Sequence, residues 1–291
     1  MLFRSSKLTP KKRNKLLEDM TDEVAAIVLE DSRLQALALS IAEMGGVQAT
    51  ASHVRLIEKL EEMGALDRKT EGLADHDTFS RRASEGKGLT RPELAILLSS
   101  AKLVLQDAIE QSELVRDKAL EPLLIGAFPQ ARQHSYRAEI LGHRLRNELI
   151  ATKLANRIIN RMGLIHPFEL AEEEGVSLAQ VASAFVAVED LLGIGGIWPA
   201  IETADMSETA RLTLLERAAA AMSSHMADLI RHSGASVAPS EQVKALGKGM
   251  ALLEQHSEQL LSPAIRRRSA QLCEHLDRKS TRLNSSHVRT S

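Results

Sequence analysis

The densest run of side chains able to do chemistry lies between His143 and Arg161. It reads HRLRNELIATKLANRIINR, with four arginines, one lysine and three asparagines. At helical spacing Arg146, Lys153, Arg157, Asn160 and Arg161 fall near one face. A guanidinium fork matches a carboxylate or an oxyanion with two parallel hydrogen bonds, which a lysine fringe does not. Three uses are open: a solvated face, an ion-pair surface against a neighbouring domain, or an anion pocket. Arginine content favours the interdomain ion-pair face, and these five residues are its candidates.

Other constellations carry less. His225 and His232 stand seven apart, and Glu139 and His143 four apart. Neither pair brings the three or four convergent ligands of a zinc site, and no HExxH or carboxylate-iron ExxH pattern occurs, so no metal ligand is assigned. Gly193, Gly195 and Gly196 come after a helical pattern, whereas a phosphate-binding turn comes after a strand, and there is no Walker loop. Cys273, the single cysteine, reads as a plain structural thiol. No catalytic and no cofactor-binding residue is assigned.

These side chains sit in 291 residues, 44% hydrophobic and 26% charged, with a formal net charge of −2. Near-neutrality argues against nucleic acid or an anionic membrane as partner. One cysteine forbids an intrachain disulfide, pointing to a reducing compartment and a cytoplasmic location. No apolar run approaches the ~20 residues of a membrane span. Aromatic residues make up 2%, too few for a base-stacking platform or an aromatic-rich β-sandwich.

The elements that must hold the candidates read as helices with recognisable caps. Thr9-Pro10 opens one to Met20, Thr21 one to Leu29, and Asp31 a third, Ser32 to Met44. Ala51 to Met63 stops at Gly64. Residues 65–88, rich in charge, Gly, Ser and Thr, read as a linker. Thr90-Arg-Pro-Glu93 is a capping box before Leu94, Leu97, Leu98, Ala101, Leu105 and Ala108. The longest helix is expected from Arg137 to Met162, with Leu141, Leu145, Leu149, Thr152, Ala155, Ile159 and Met162 inward. Ser177 and Gln180 form a second capping box. Leu212, Leu215, Ala219, Met222, Met226 and Leu229 repeat at three and four, as in a bundle helix. Two more helices are expected before the tail, and no strand. The fold class is all-α, a multi-helix antiparallel bundle with short loops.

Asp277 to His287 reads DRKSTRLNSSH, a string that resembles the in-frame translation of a sequencing adapter. Residues 277–291 are therefore read as an artefact and set aside. The tail carries +3, which leaves the rest of the chain at −5. Met1 to Ser6 has no pattern continuous with the helix that opens at Thr9-Pro10, so Met1 reads either as a genuine start or as a point where upstream sequence has been lost.

Three strings in order resemble a known family: KRNKLLEDMTDEVAAIVLEDSRLQALALS (Lys12 to Ser40), GLTRPELAILLSSAKLVLQDAI (Gly88 to Ile109) and HRLRNELIATKLANRIINRMG (His143 to Gly163). Together they are similar to the C-terminal part of the large bacterial NAD-specific glutamate dehydrogenase. The resemblance implies oxidative deamination of L-glutamate to 2-oxoglutarate and ammonia in the parent, with NAD as hydride acceptor, and a cytoplasmic homo-oligomer. The family's proton-transferring Lys and Asp and its NAD-binding domain would lie upstream, so no catalytic residue carries over. The expected organisation is terminal helices of the catalytic domain over 1–64, a linker over 65–88 and a helical C-terminal domain over 89–276. The partner is then the upstream catalytic domain. Alone, the chain would be inactive and hold no cofactor. The competing reading is a freestanding helical interaction module.

Overall fold

The computed structural model describes residues 9–233, 238–265 and 267. The fold is all-α, and no strand occurs among the described residues. In chain order the helices are α1 (Pro10–Asp19), α2 (Thr21–Met44), α3 (Thr50–Glu62), α4 (His76–Ser84), α5 (Arg91–Glu110), α6 (Glu121–Ile125) and α7 (Gln130–Gln133). Next come α8 (Arg137–Leu141), α9 (Arg146–Met162), α10 (His166–Glu173), α11 (Leu178–Leu191), α12 (Ile197–Thr203), α13 (Glu208–Ser233) and α14 (Pro239–Leu260). Cys273, the adapter-like stretch and Met1–Ser6 lie outside the described residues.

Local chemistry sets several of the starts. The Thr9 hydroxyl accepts from the Lys12 amide at 3.3 Å, satisfying one of α1's orphan donors. At α5 the Thr90 amide donates to Glu93 at 2.8 Å, and at α11 the Ser177 amide donates to Gln180 Oε1 at 2.8 Å while Ser177 Oγ accepts from the Gln180 amide. Both capping boxes are thus closed. Gly163, at φ +78°, ends α9 in a conformation that a side chain would strain.

Two helices differ from the sequence reading. Thr21 to Met44 is one helix and not two: Asp31, expected to cap a new start, instead turns its carboxylate to Lys153 Nζ at 3.6 Å, and the Ser32 hydroxyl bonds back to the Val28 carbonyl at 2.9 Å within the continuing helix. The expected helix from Arg137 to Met162 is broken between Leu141 and Arg146, where the His143 ring accepts from the Leu145 amide at 3.1 Å. Ala155, Ile159 and Met162 face inward as expected, and the break turns Leu145 out of the stripe. Ile150, Ala151, Leu154, Ala155, Ile158, Ile159 and Met162 point inward, whereas Leu145 is 41% exposed.

The buried stripe of α9 packs along α5, which brings Leu97, Ala101, Leu105 and Ile109. α2 and α13 lie against α9 as well, and α11 closes on α5 and α13. A single cluster of buried apolar side chains runs from Ala38 through Ile230. Residues 65–88 contribute to it: Leu66 and Leu73 are buried, and Phe79 on α4 is 1% exposed. A smaller cluster joins Trp198 of α12 to Leu215 and Ala219 of α13, with Leu37 and Ile41 of α2 against it. Contacts divide the chain into two units, the first ending at Val243. In the second, α14 exposes Leu246, Leu252, Leu253 and Leu260.

One close approach ties the segment after α4 to the end of α2. A Cβ built on Gly88 would stand 2.6 Å from the Gly46 carbonyl oxygen and 2.7 Å from its carbon, both backbone atoms that cannot swing aside. Gly88→Ala is expected to lower stability by about 1–3 kcal/mol, the range for overpacking a fitted site. Gly196→Ala serves as control, since nothing lies within 4 Å of its Cβ position. Equal urea midpoints for the two variants would show that the contact costs nothing.

Candidate functional site

Because α9 turns Leu154, Ile158 and Met162 inward, its opposite side presents Lys153, Asn156, Arg157, Asn160 and Arg161. This side lines a groove of about 610 Å³ whose other walls come from α2, α12 and Leu123 of α6. Four of the five residues singled out from the sequence therefore share one site. Arg146 stands apart: its guanidinium donates to the Val115 carbonyl at 2.5 Å and binds the turn after α5.

The cations meet carboxylates from three helices. Lys153 Nζ lies 3.6 Å from Asp31 of α2. Arg157 Nη2 is 2.6 Å from Glu189 Oε2 on α11, and Arg161 pairs with the other oxygen of the same carboxylate. Glu189 itself is 8% exposed. Burial lowers the Arg161 pKa from its ordinary value, Glu189 opposes that shift, and the like charge of Arg157 adds to it. Arg33 of α2 forks between Glu30 and Glu202 of α12, and their hydrogen bonds raise its pKa. The Arg161 guanidinium also stands 5.8 Å from the centre of the Trp198 ring.

Asp31, Arg33, Glu189 and Glu202 were not read as site residues from the sequence. Glu189 gave a signal, being an acid inside the apolar run LAQVASAFVAVEDL of α11. Asp31 and Arg33 gave none, because an amphipathic helix carries such charges routinely.

The remaining candidates scatter. His225 and His232 are exposed on α13, where the His232 ring meets the Asp228 carbonyl at 2.7 Å. His143 stacks edge-on against Phe128 at 5.7 Å. No group of three metal-ligating side chains converges among the described residues. The Gly193–Gly196 turn joins α11 to α12, helix to helix, so it lacks the strand that would aim it at a pyrophosphate. These residues do not fit a dinucleotide. Two buried titratable groups were also missed. His53 on α3 is 1% exposed with neither ring nitrogen hydrogen-bonded, and Lys102 on α5 has a buried Nζ without a hydrogen bond. Burial lowers Lys102 to about 8, against the pull of Asp31.

Comparison with known proteins shows what this helical array is similar to. Residues 86–282 match the family model for the C-terminal region of glutamate dehydrogenase. The chain belongs to that family. Residues 1–42 match a second model, the catalytic domain of bacterial NAD-glutamate dehydrogenase. Among curated proteins, an NAD-specific glutamate dehydrogenase of Halomonas elongata is 36% identical over 68% of this chain and 12% of its own length. Enzymes of the same name from Pseudomonas aeruginosa and Mycobacterium tuberculosis are 36% and 33% identical over 72% and 69% of this chain, each over 13% of their own length. The chain thus spans about an eighth of these glutamate dehydrogenases. Laid on the structure, the two matches meet in the groove: Asp31 and Arg33 belong to the catalytic-domain match, Lys153, Glu189 and Glu202 to the C-terminal match. Arg91, also in the C-terminal match, donates across the same seam to the Ala36 carbonyl at 3.0 Å. Among the described residues no single helix is long and apolar enough to cross a membrane.

Proposed function

We propose that this chain is the docking and assembly portion of an NAD-dependent glutamate dehydrogenase and holds none of the groups that move hydride or proton. In the intact enzyme the reaction is oxidation of L-glutamate to 2-oxoglutarate and ammonia, with NAD reduced in the upstream part of the chain. The observation that carries this reading is the ion-paired seam. Lys153–Asp31 and Arg33–Glu202 join a segment of catalytic-domain type to a helical C-terminal region, which is what a rigid dock requires. A second feature supports it. Leu17, Val24, Val28 and Leu29 are 44–71% exposed along α1 and the first half of α2, an apolar stripe that suits a large partner surface. The partner is the rest of the catalytic domain, and the working enzyme is a cytoplasmic homo-oligomer.

The purified 291-residue chain is expected to form no NADH from NAD and L-glutamate, to bind a hydrophobic dye and to self-associate at micromolar concentration. Replacing Val24, Val28 and Leu29 by Ser should suppress both dye binding and self-association. Saturable glutamate-dependent NADH formation would place the active site here and end the proposal. A monodisperse chain that binds no dye would favour the freestanding interaction module.

A further inference from the structure

We infer that the groove between α3 and α10 is a docking site for a basic amphipathic helix of a partner protein. Its walls are helices already packed on the core, α3 against α5 and α10 against α11 and α13, so the groove is held open by the fold and is not a crevice between loops. The Ser52 hydroxyl ties the two walls, donating to Glu169 Oε1 at 2.7 Å. The lining runs from Ser52 to Met63, about three turns or about 16 Å along α3. Its apolar part reaches solvent: Met63 is 48% exposed, and Ile165, Ala171 and Val176 are half-buried. Leu56, Phe168 and Leu178 complete the lining, and the volume is about 280 Å³. A cavity of about 150 Å³ takes one benzene, so this one takes two side chains of about that size. Two apolar anchors one turn apart on a helix fit such a slot, whereas two helical walls offer no strand edge to an extended peptide.

Charge sets what must flank those anchors. Six charged side chains line the groove: Arg55, Glu58, Lys59 and Glu62 from α3, Glu169 and Glu172 from α10. Lys59 and Glu62 meet at 3.9 Å and cancel. Glu58, Glu169 and Glu172 then stand against Arg55 alone, and none of these four has an ion pair among the described residues. The neighbouring acids Glu61 and Glu174 have their own cations in Arg68 and Arg231, so neither arginine neutralises the groove. An apolar slot with two uncompensated negative charges repels an acidic partner, a nucleic acid or an anionic membrane. Lysines or arginines beside the anchors would instead meet Glu58 and Glu172, both exposed at the rim. The acids do not form a metal site, since no three ligating side chains converge among the described residues. No residue of this groove lines the seam between α2, α9 and α12, so the inference and the proposed function fail separately.

The test uses the 291-residue chain and a fluorescent helical peptide of about 15 residues, with leucines recurring at three and four and lysines flanking them, read by anisotropy. Saturable binding that is lost when the lysines become glutamates, and lost again when the leucines become serines, supports the site. Glu58→Lys combined with Glu172→Lys should weaken binding at least about tenfold, and so should Met63→Ser. All three positions are exposed, and far-UV circular dichroism verifies that each variant is folded. Should Met63→Ser fail to fold, the rim pair decides. Undiminished binding to the folded rim variant places the peptide elsewhere, for instance on the stripe of α1 and α2, and overturns the inference. So does a lysine–leucine peptide that fails to bind the unaltered chain; if the rim variant then also loses self-association, the groove belongs to a second copy.

Discussion

Glu189→Ala is expected to destabilise the chain by about 3 kcal/mol. Its carboxylate, almost closed off from water, is shared by the Arg157 and Arg161 guanidiniums. Removing it leaves two like charges side by side without a counter-ion. Breaking a buried pair from one side costs about 3–5 kcal/mol, because the surviving charge has lost its water as well as its partner. The lower end applies here, since Arg157 keeps 35% of its side chain in solvent and can be rehydrated, while Arg161 keeps 20%. Glu189→Gln, which preserves the shape and one hydrogen bond, should fall between wild type and Ala. Combining Glu189→Leu with Arg161→Met should recover much of the loss, because it removes the stranded charge as well. Chemical denaturation with unchanged slope gives the three values. A loss below about 0.5 kcal/mol for Glu189→Ala would mark the triad as an ordinary surface contact.

What could be read from the sequence and what could not divides along physical lines. The starts at Thr9, Thr90 and Ser177 were legible because capping is local: the donor, the acceptor and the spacing lie within four residues. The arginine face of α9 was legible for the same reason, as a pattern on one helix. Its partners were not. Asp31 and Glu189 are separated in sequence from Lys153 and Arg157 by 122 and 32 positions, and only packing decides which acid faces which base. Asp31 shows the limit of the local rules, since the same carboxylate can cap a new helix or, as here, sit inside a continuous one and face a distant lysine. The linker reading of 65–88 met a similar obstacle: charge and glycine mark exposure on average, but Leu66, Leu73 and above all Phe79 anchor that polar stretch in the core. The inward stripe held at Ala155, Ile159 and Met162 but failed at Leu145, because the count ran through Gly142 and His143, where the helix is interrupted.

Lowering the pH from 7 to 4 is expected to cost the chain about 3 kcal/mol through His53 alone. Burial pushes its pKa down to about 4, with Glu169 pulling weakly the other way. An unfolded histidine titrates near 6.5. Between those values the unfolded chain holds a proton that the folded chain refuses, so stability is fully present above about 6.5 and drains away as the pH falls to about 4. Carboxylates add their own acid losses, so the informative quantity is the difference from a His53 variant. His53→Leu should show a flatter stability profile between pH 7 and 4. At pH 7 it should be no less stable than wild type, because neither ring nitrogen has a hydrogen bond to lose and the ring is buried. The two halves of this expectation check each other. If the variant loses 2 kcal/mol at pH 7, the ring has partners after all, and its depressed titration then lacks the desolvated setting that produces it. If the profiles are parallel, His53 takes its proton in the folded state near the ordinary pH, and the α3 core is wetter than its packing implies.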